Sequence, residues 1–210
     1  MLKVMNLDEL GWSRYCELSN LSVLPSPNSV ARVAVENKTN YLLYAQTGEL
    51  SGIVRGNWLK DETKDLPKVG DWVVFEKLQG EDKAVILEIL PRLGAVTRTG
   101  VEKDKSEQVI ATNVDLLFIV QGLDNNFSLP RLQRYVLMAK QSRAVPIILL
   151  NKADLLDNPL DSVAEVKQIL PEVAVFAISI NQAKGLEHVV QYIRPGMTVA
   201  FVGSSGVRLS

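Results

Sequence analysis

The residues best placed to do chemistry stand in three short stretches of the C-terminal half: "NKAD" at 151–154, "AIS" at 177–179 and "VGSSGVRLS" at 202–210. Asp154 can present both carboxylate oxygens to two neighbouring N–H donors. Guanine offers such a pair on its ring N–H and exocyclic amine, and adenine does not. A charge-assisted bidentate contact is strong and directional. A site built on it rejects a base lacking the donors by roughly 10⁴ or more. Asn151 can hold the base edge and neighbouring loops, and the stem of Lys152 can lie along the ring. The competing reading of the same residues is a polar turn that caps the next helix.

The third stretch has the start of a phosphate-binding loop. An apolar run, "TVAFV", feeds into Gly203, and the pattern G-x-x-x-x-G-K-[ST] then asks for glycine at 208 and lysine at 209. The sequence has Arg208 and Leu209, followed by Ser210.

These stretches need a scaffold, and the hydrophobic pattern supplies one. From residue 114 onward, unbroken apolar strands alternate with amphipathic helices. "VDLLFIVQG", "VPIILLN", "VAVFAIS" and "MTVAFVG" read as strands. Between them, Leu132, Val136 and Ala139 fall at helical spacing, as do Leu160, Val163, Val166 and Leu170, and Leu186, Val189, Val190 and Ile193. Such alternation predicts a parallel sheet covered on both faces. Ligands bind at the carboxyl ends of the strands in open sheets of this kind. The three chemical stretches all fall at such ends.

The N-terminal half has another rhythm. Residues 1–29 read as a helical lead-in, capped by Asn6 or Asp8 and packed through Leu7, Leu10 and Tyr15, with a Pro/Ser-rich connector. Residues 30–97 hold about five short strands with polar turns, the pattern of an oligonucleotide-binding (OB) barrel. Its first strand, "ARVAVEN", alternates so as to put Val33 and Val35 on one face. Residues 98–113 are polar and read as a linker, and 114–210 form the α/β part.

Composition sets the bounds. With 210 residues, 47% hydrophobic, and a net charge of -1, the chain has no general attraction for polyanions, so any nucleic-acid site must be a local patch. Lys60, Arg92 and Arg98 are the candidates for RNA phosphates, interleaved with acids near the first of them. Trp58 and Trp72 can stack on bases, although Trp72 is better read as core. Cys16 is the one cysteine, so it forms no disulfide within the chain and suits a reducing compartment. No apolar run has the length of a membrane span. His188 reads as a partly exposed helix residue.

The order of the motifs is specific. Ordinary guanine-nucleotide switches carry the phosphate loop first and N-K-x-D late. Here N-K-x-D comes first, the serine element next and the phosphate loop last. With a barrel ahead of them, these motifs make the whole chain resemble the circularly permuted ribosome small-subunit-dependent GTPases. The resemblance implies GTP hydrolysis during maturation of the small ribosomal subunit, with GTP/GDP and Mg²⁺ as ligands, rRNA and the small subunit as partners, and a cytoplasmic location. By motif, Asn151, Lys152 and Asp154 would read guanine, and Ser179 and the backbone of Ile180 would support it. Gly203, Ser204, Ser205, Gly206 and Val207 would curve around phosphates, and Ser210 would take the magnesium position.

The departures from the family pattern imply an impaired form. Arg208 stands where the tight loop needs glycine, and Leu209 where a lysine neutralises phosphate charge. The family's remaining catalytic elements and its zinc-binding domain lie beyond Ser210 in the pattern, so the chain as given reads as truncated and catalytically impaired. Strand 198–202 is then expected to form an exposed edge prone to self-association. Two other classes stay open: an RNA-binding OB module, and a non-hydrolysing guanine-nucleotide-binding protein.

Overall fold

The computed structural model describes residues 5–59, 65–99 and 107–203, in two compact units that divide between Asn113 and Val114. The first unit holds a closed five-stranded barrel of β1 (Val30–Glu36), β2 (Tyr41–Ala45), β3 (Gly48–Val54), β4 (Trp72–Lys77) and β5 (Lys83–Ile89), with the one-turn helix α2 (Gly56–Leu59) after β3. Their order around the barrel is β1-β2-β3-β5-β4, with β3 and β5 parallel and the other pairs antiparallel. This is the OB-like barrel expected from the strand spacing.

Alternation fills the barrel. Val33, Leu43, Leu50, Val73, Phe75 and Ile86 form its core. The intervening Trp72 points the other way. It is fully buried against helix α1 (Trp12–Ser19), with its ring 4.8 Å from Trp12 and 6.0 Å from Tyr15 and the Arg32 guanidinium 5.1 Å from its centroid. Trp72 is therefore a packing residue. Helix α1 starts after Gly11 without a side-chain cap, so neither Asn6 nor Asp8 caps it, though Leu7 and Tyr15 are buried as expected. Val35 departs from expectation. The pairing of β1 with β2 shifts between Val33 and Val35, and this bulge turns Val35 outward to 41% exposure.

The segment expected as a linker contains structure. Within it β7 (Glu107–Thr112) pairs antiparallel with β6 (Ala95–Thr99), inside the same unit as the barrel. Gly70 explains how the end of β7 lies so close to the barrel. It has φ +94°, and a Cβ there would stand 2.2 Å from the Thr112 carbonyl oxygen. Its own carbonyl accepts from Arg32 Nε and Asn113 Nδ2, each at 2.9 Å.

The second unit is a four-stranded parallel sheet in the order β10-β9-β8-β11, formed by β8 (Leu116–Gly122), β9 (Val145–Asn151), β10 (Ala174–Ala177) and β11 (Val199–Gly203). Every residue of β8 is buried. Ile119, Ile148 and Leu150 face α3 (Leu129–Gln141) and α4 (Pro159–Ile169) through Leu132, Val136 and Val166. Phe118, Ile147 and Leu149 face the other side, towards Leu186, Val189 and Tyr192 around the single-turn α5 (Glu187–Val190). Both faces are thus covered, which is why these strands lack alternation. Two helical stripes are narrower than their spacing suggested: Leu160 is 68% exposed in the first turn of α4, and Val190 is 67% exposed. Strand β11 lies at an edge among the described residues, with Phe201 half exposed and stacked at 5.1 Å on Phe118.

Candidate guanine-nucleotide site

Because the four strands are parallel, their carboxyl ends lie along one edge. That edge gathers Asp124 just after β8, Asn151, Lys152 and Asp154 after β9, Ser179 and Ile180 after β10, and Gly203 at the end of β11.

Several hydrogen bonds tie the β9 and β10 ends together. Ala153 N–H donates to the Ile178 carbonyl at 3.1 Å. The Ser179 hydroxyl donates to Asp154 Oδ1 at 2.5 Å, and Ile180 N–H donates to Asn151 Oδ1 at 3.1 Å. Ser179 Oγ also accepts from Gln182 N–H at 3.2 Å, which fixes the direction of its own proton. Asn151 and Ser179 are buried while Asp154 is exposed. A carboxylate has about four lone-pair positions. One bond from Ser179 therefore orients Asp154 and leaves it able to accept a pair of donors from solvent. The Ile180 N–H, expected to support a base, here braces Asn151.

Lys152 stands between Asn151 and Asp154 at the same edge. Its backbone is left-handed, with φ 66°, and its ammonium contacts Asp124 Oδ2 at 2.6 Å. Asp124 Oδ1 accepts in turn from Asn126 N–H at 3.0 Å. These bonds, with Lys152 the larger influence, hold the Asp124 carboxyl below the ordinary aspartate pKa. Asp124 was missed by motif reading. Its only sequence signal is an acid placed two residues after a buried, largely apolar strand, at the carboxyl edge of the sheet.

At the β11 end, Gly203 sits against β8 so closely that a Cβ would be 2.6 Å from the Val120 carbonyl oxygen. Tyr135 Oη on α3 donates to the Gly203 carbonyl at 3.3 Å. Ser204, Ser205, Gly206, Val207 and Ser210, together with Arg208 and Leu209, lie outside the described residues. Among the described residues, no group of His, Cys, Asp or Glu is arranged to hold a metal ion.

The sequence model of the RsgA GTPase family matches residues 89–210, more than half of the chain. The chain belongs to the RsgA GTPase family. It is 37% identical over 214 residues to the Small ribosomal subunit biogenesis GTPase RsgA of Opitutus terrae, covering 96% of this chain and 58% of that protein. It is 35% identical over 196 residues to the RsgA of Leptospira interrogans serogroup Icterohaemorrhagiae serovar copenhageni, covering 93% of this chain and 54% of that protein. The chain thus spans somewhat over half the length of these curated relatives. Its fold matches the crystal structure of YjeQ from Thermotoga maritima, with a TM-score of 0.68 at 21% identity over 85% of this chain and 61% of that one. It also matches YloQ, described as a circularly permuted GTPase, with a TM-score of 0.64 at 21% identity and the same coverage. Both the barrel and the permuted GTPase fold are thereby established for this RsgA family chain.

The cations proposed for RNA occupy different settings. Arg92 is committed within the chain. Its Nε and Nη2 each contact the Asp71 carboxylate at 2.8 Å, and Nη1 contacts Asp65 at 2.9 Å. Asp71 is fully buried, so Arg92 neutralises an interior charge. Arg98 is exposed on β6, beside a depression of about 510 Å³ that Lys38 and Lys68 also line. Lys68 is paired there with Glu36 at 2.6 Å. Lys60 lies outside the described residues. Trp58 packs against the barrel core, and its indole N–H donates to the Asp65 carbonyl at 3.1 Å. His188 stacks on Phe176 at 4.7 Å, and Cys16 is half-buried with its thiol pKa raised, chiefly by burial.

No helix among the described residues is long and apolar enough to cross a membrane.

Proposed function

We propose that the chain binds guanine nucleotide through Asn151, Lys152, Asp154 and Ser179, and belongs to a cytoplasmic GTPase acting in maturation of the small ribosomal subunit. One observation carries this reading: the Ser179 hydroxyl fixes the exposed Asp154 carboxylate at the carboxyl edge of a parallel sheet. That arrangement suits the paired N–H donors of guanine. GTP and GDP are the ligands. Mg²⁺ belongs to the family's reaction, and in this chain Ser210 is its proposed position. GTP hydrolysis in the family is phosphoryl transfer to water, which depends on positioning and charge neutralisation.

For this sequence the base site is kept and the phosphate site is weakened. Leu209 offers no charge to the β- and γ-phosphates, and Arg208 adds a side chain where backbone must approach phosphate closely. The chain is expected to bind GDP weakly and to release no phosphate from GTP above background. Magnesium-dependent GTP turnover by the purified chain contradicts the second expectation.

The barrel unit is proposed to contact rRNA through the exposed cations Arg98 and Lys38. Such binding weakens steeply with salt. The strand expected at 198–202, which is β11 (Val199–Gly203), is proposed to associate edge to edge with a second copy of this chain. A light-scattering mass that stays monomeric at high concentration counts against it.

A further inference from the structure

Lys152 and Asp124 are 28 residues apart in sequence and joined at 2.6 Å. Three constraints act on the lysine at once. Its backbone is in the left-handed region at φ 66°. Its ammonium is held by Asp124, and Asp124 is itself held by the N–H of Asn126 at 3.0 Å. The four-carbon stem is thus fixed at both ends, next to Asn151 and Asp154. A lysine stem is among the most rotamer-rich side chains, and ordering it on binding weakens affinity. Here the protein orders it in advance.

We propose that Asp124 is a positioning residue of the nucleotide site: it holds Lys152 as a neutralised apolar wall for the purine ring, and so withholds its charge from the phosphates. The proposal rests on the guanine-binding reading above. It assigns the ammonium to a carboxylate of the chain and only the methylene stem to the ligand. Guanosine and GDP should then depend on Lys152 to the same degree. A lysine reaching phosphate would matter for GDP alone.

The pair is partly exposed, with side chains at 28% and 30%, so its loss should leave folding stability nearly unchanged. The cost should appear in binding. Releasing one rotamer-rich side chain corresponds to roughly 2- to 12-fold in affinity.

The test is calorimetric titration of guanosine and of GDP into the 210-residue chain and its Asp124→Asn, Lys152→Met and double variants, with Asp154→Asn as reference. The expected result is an equal weakening of both ligands by Asp124→Asn, within roughly 2- to 12-fold. The double variant should be no weaker than Lys152→Met alone, since an unpaired stem no longer needs its anchor. Carboxyl NMR of the free protein supplies a readout that needs no ligand: Asp124 should titrate below the ordinary aspartate range and move up in Lys152→Met. Binding that is lost in Asp154→Asn but unaltered in Asp124→Asn overturns the inference alone. A weakening confined to GDP also overturns it, because it assigns the ammonium to phosphate. Absence of guanosine and GDP binding in the parent chain, or indifference to Asp154→Asn, overturns the guanine reading and the inference with it.

Discussion

The Ser179 hydroxyl lies 2.5 Å from Asp154 Oδ1, joining the ends of two neighbouring parallel strands across 25 residues of sequence. The contact gives Ser179 a specific task, because an exposed carboxylate left to itself samples several rotamers. Held by Ser179, it keeps one face towards the edge where the strands end. Hydrogen bonds to charged groups contribute about 1.5–3 kcal/mol. Ser179→Ala is therefore expected to weaken GDP binding by roughly tenfold or more. Titration with GDP checks this, and an unchanged dissociation constant removes Ser179 from the site.

Asp154→Asn should change which base is accepted. The carboxylate accepts from two donors, whereas an amide offers one donor and one acceptor. Guanine then loses a partner. Xanthine, with a carbonyl in place of the exocyclic amine, gains one. Competition between GDP and xanthosine diphosphate should invert in the variant. A variant that keeps its GDP preference contradicts the bidentate reading.

Arg92→Ala should destabilise the barrel unit by about 3 kcal/mol, the low end of the range for removing one partner of a buried pair. The low end applies because the Lys68 N–H still donates to Asp71 at 2.8 Å. Urea unfolding monitored by tryptophan fluorescence measures it. The loss should be thermodynamic, so RNA affinity of the still-folded variant should change less than in Arg98→Ala.

Gly70→Ala tests the contact between the barrel and the end of β7. Left-handed backbone costs a non-glycine residue roughly 1–2 kcal/mol, and the 2.2 Å approach to the Thr112 carbonyl adds a clash. A stability loss of about 2 kcal/mol or more is expected in the same unfolding assay.

The buried Tyr15 hydroxyl gives a pH dependence. It donates to the Pro91 carbonyl at 2.7 Å, and burial raises its pKa well above the ordinary value of 10.0. With the folded pKa raised, the native chain keeps a proton that the unfolded chain releases above that ordinary value. This contribution is complete below pH about 10 and is lost as pH rises beyond it. Alkaline unfolding should accompany the ionisation of Tyr15, seen by tyrosinate absorbance. Ionisation near the ordinary value with the fold intact contradicts the packing of Tyr15 against Trp72.

Local signals carried much of this molecule. The apolar run at 116–120 and the helical spacing of Leu132, Val136 and Ala139 were readable because burial on both faces, or on one stripe, leaves a direct mark on residue type. "NKAD" was readable because it joins a buried strand to polar chemistry. What stayed hidden depends on distant partners. The bulge that turns Val35 outward is set by register with β2, and β7 mixes polar and apolar residues and is defined by backbone pairing with β6. The Arg92–Asp71 and Lys152–Asp124 pairs join residues 21 and 28 positions apart, and no local spacing announces them.

This edge of the sheet is proposed to read guanine. Titration of the purified 210-residue chain with GDP and with ADP, side by side at equal ionic strength, tests it most directly. Saturable GDP binding is expected, with ADP binding weaker by several orders of magnitude, roughly 10⁴-fold. Equal affinity for the two nucleotides, or binding of neither, contradicts it.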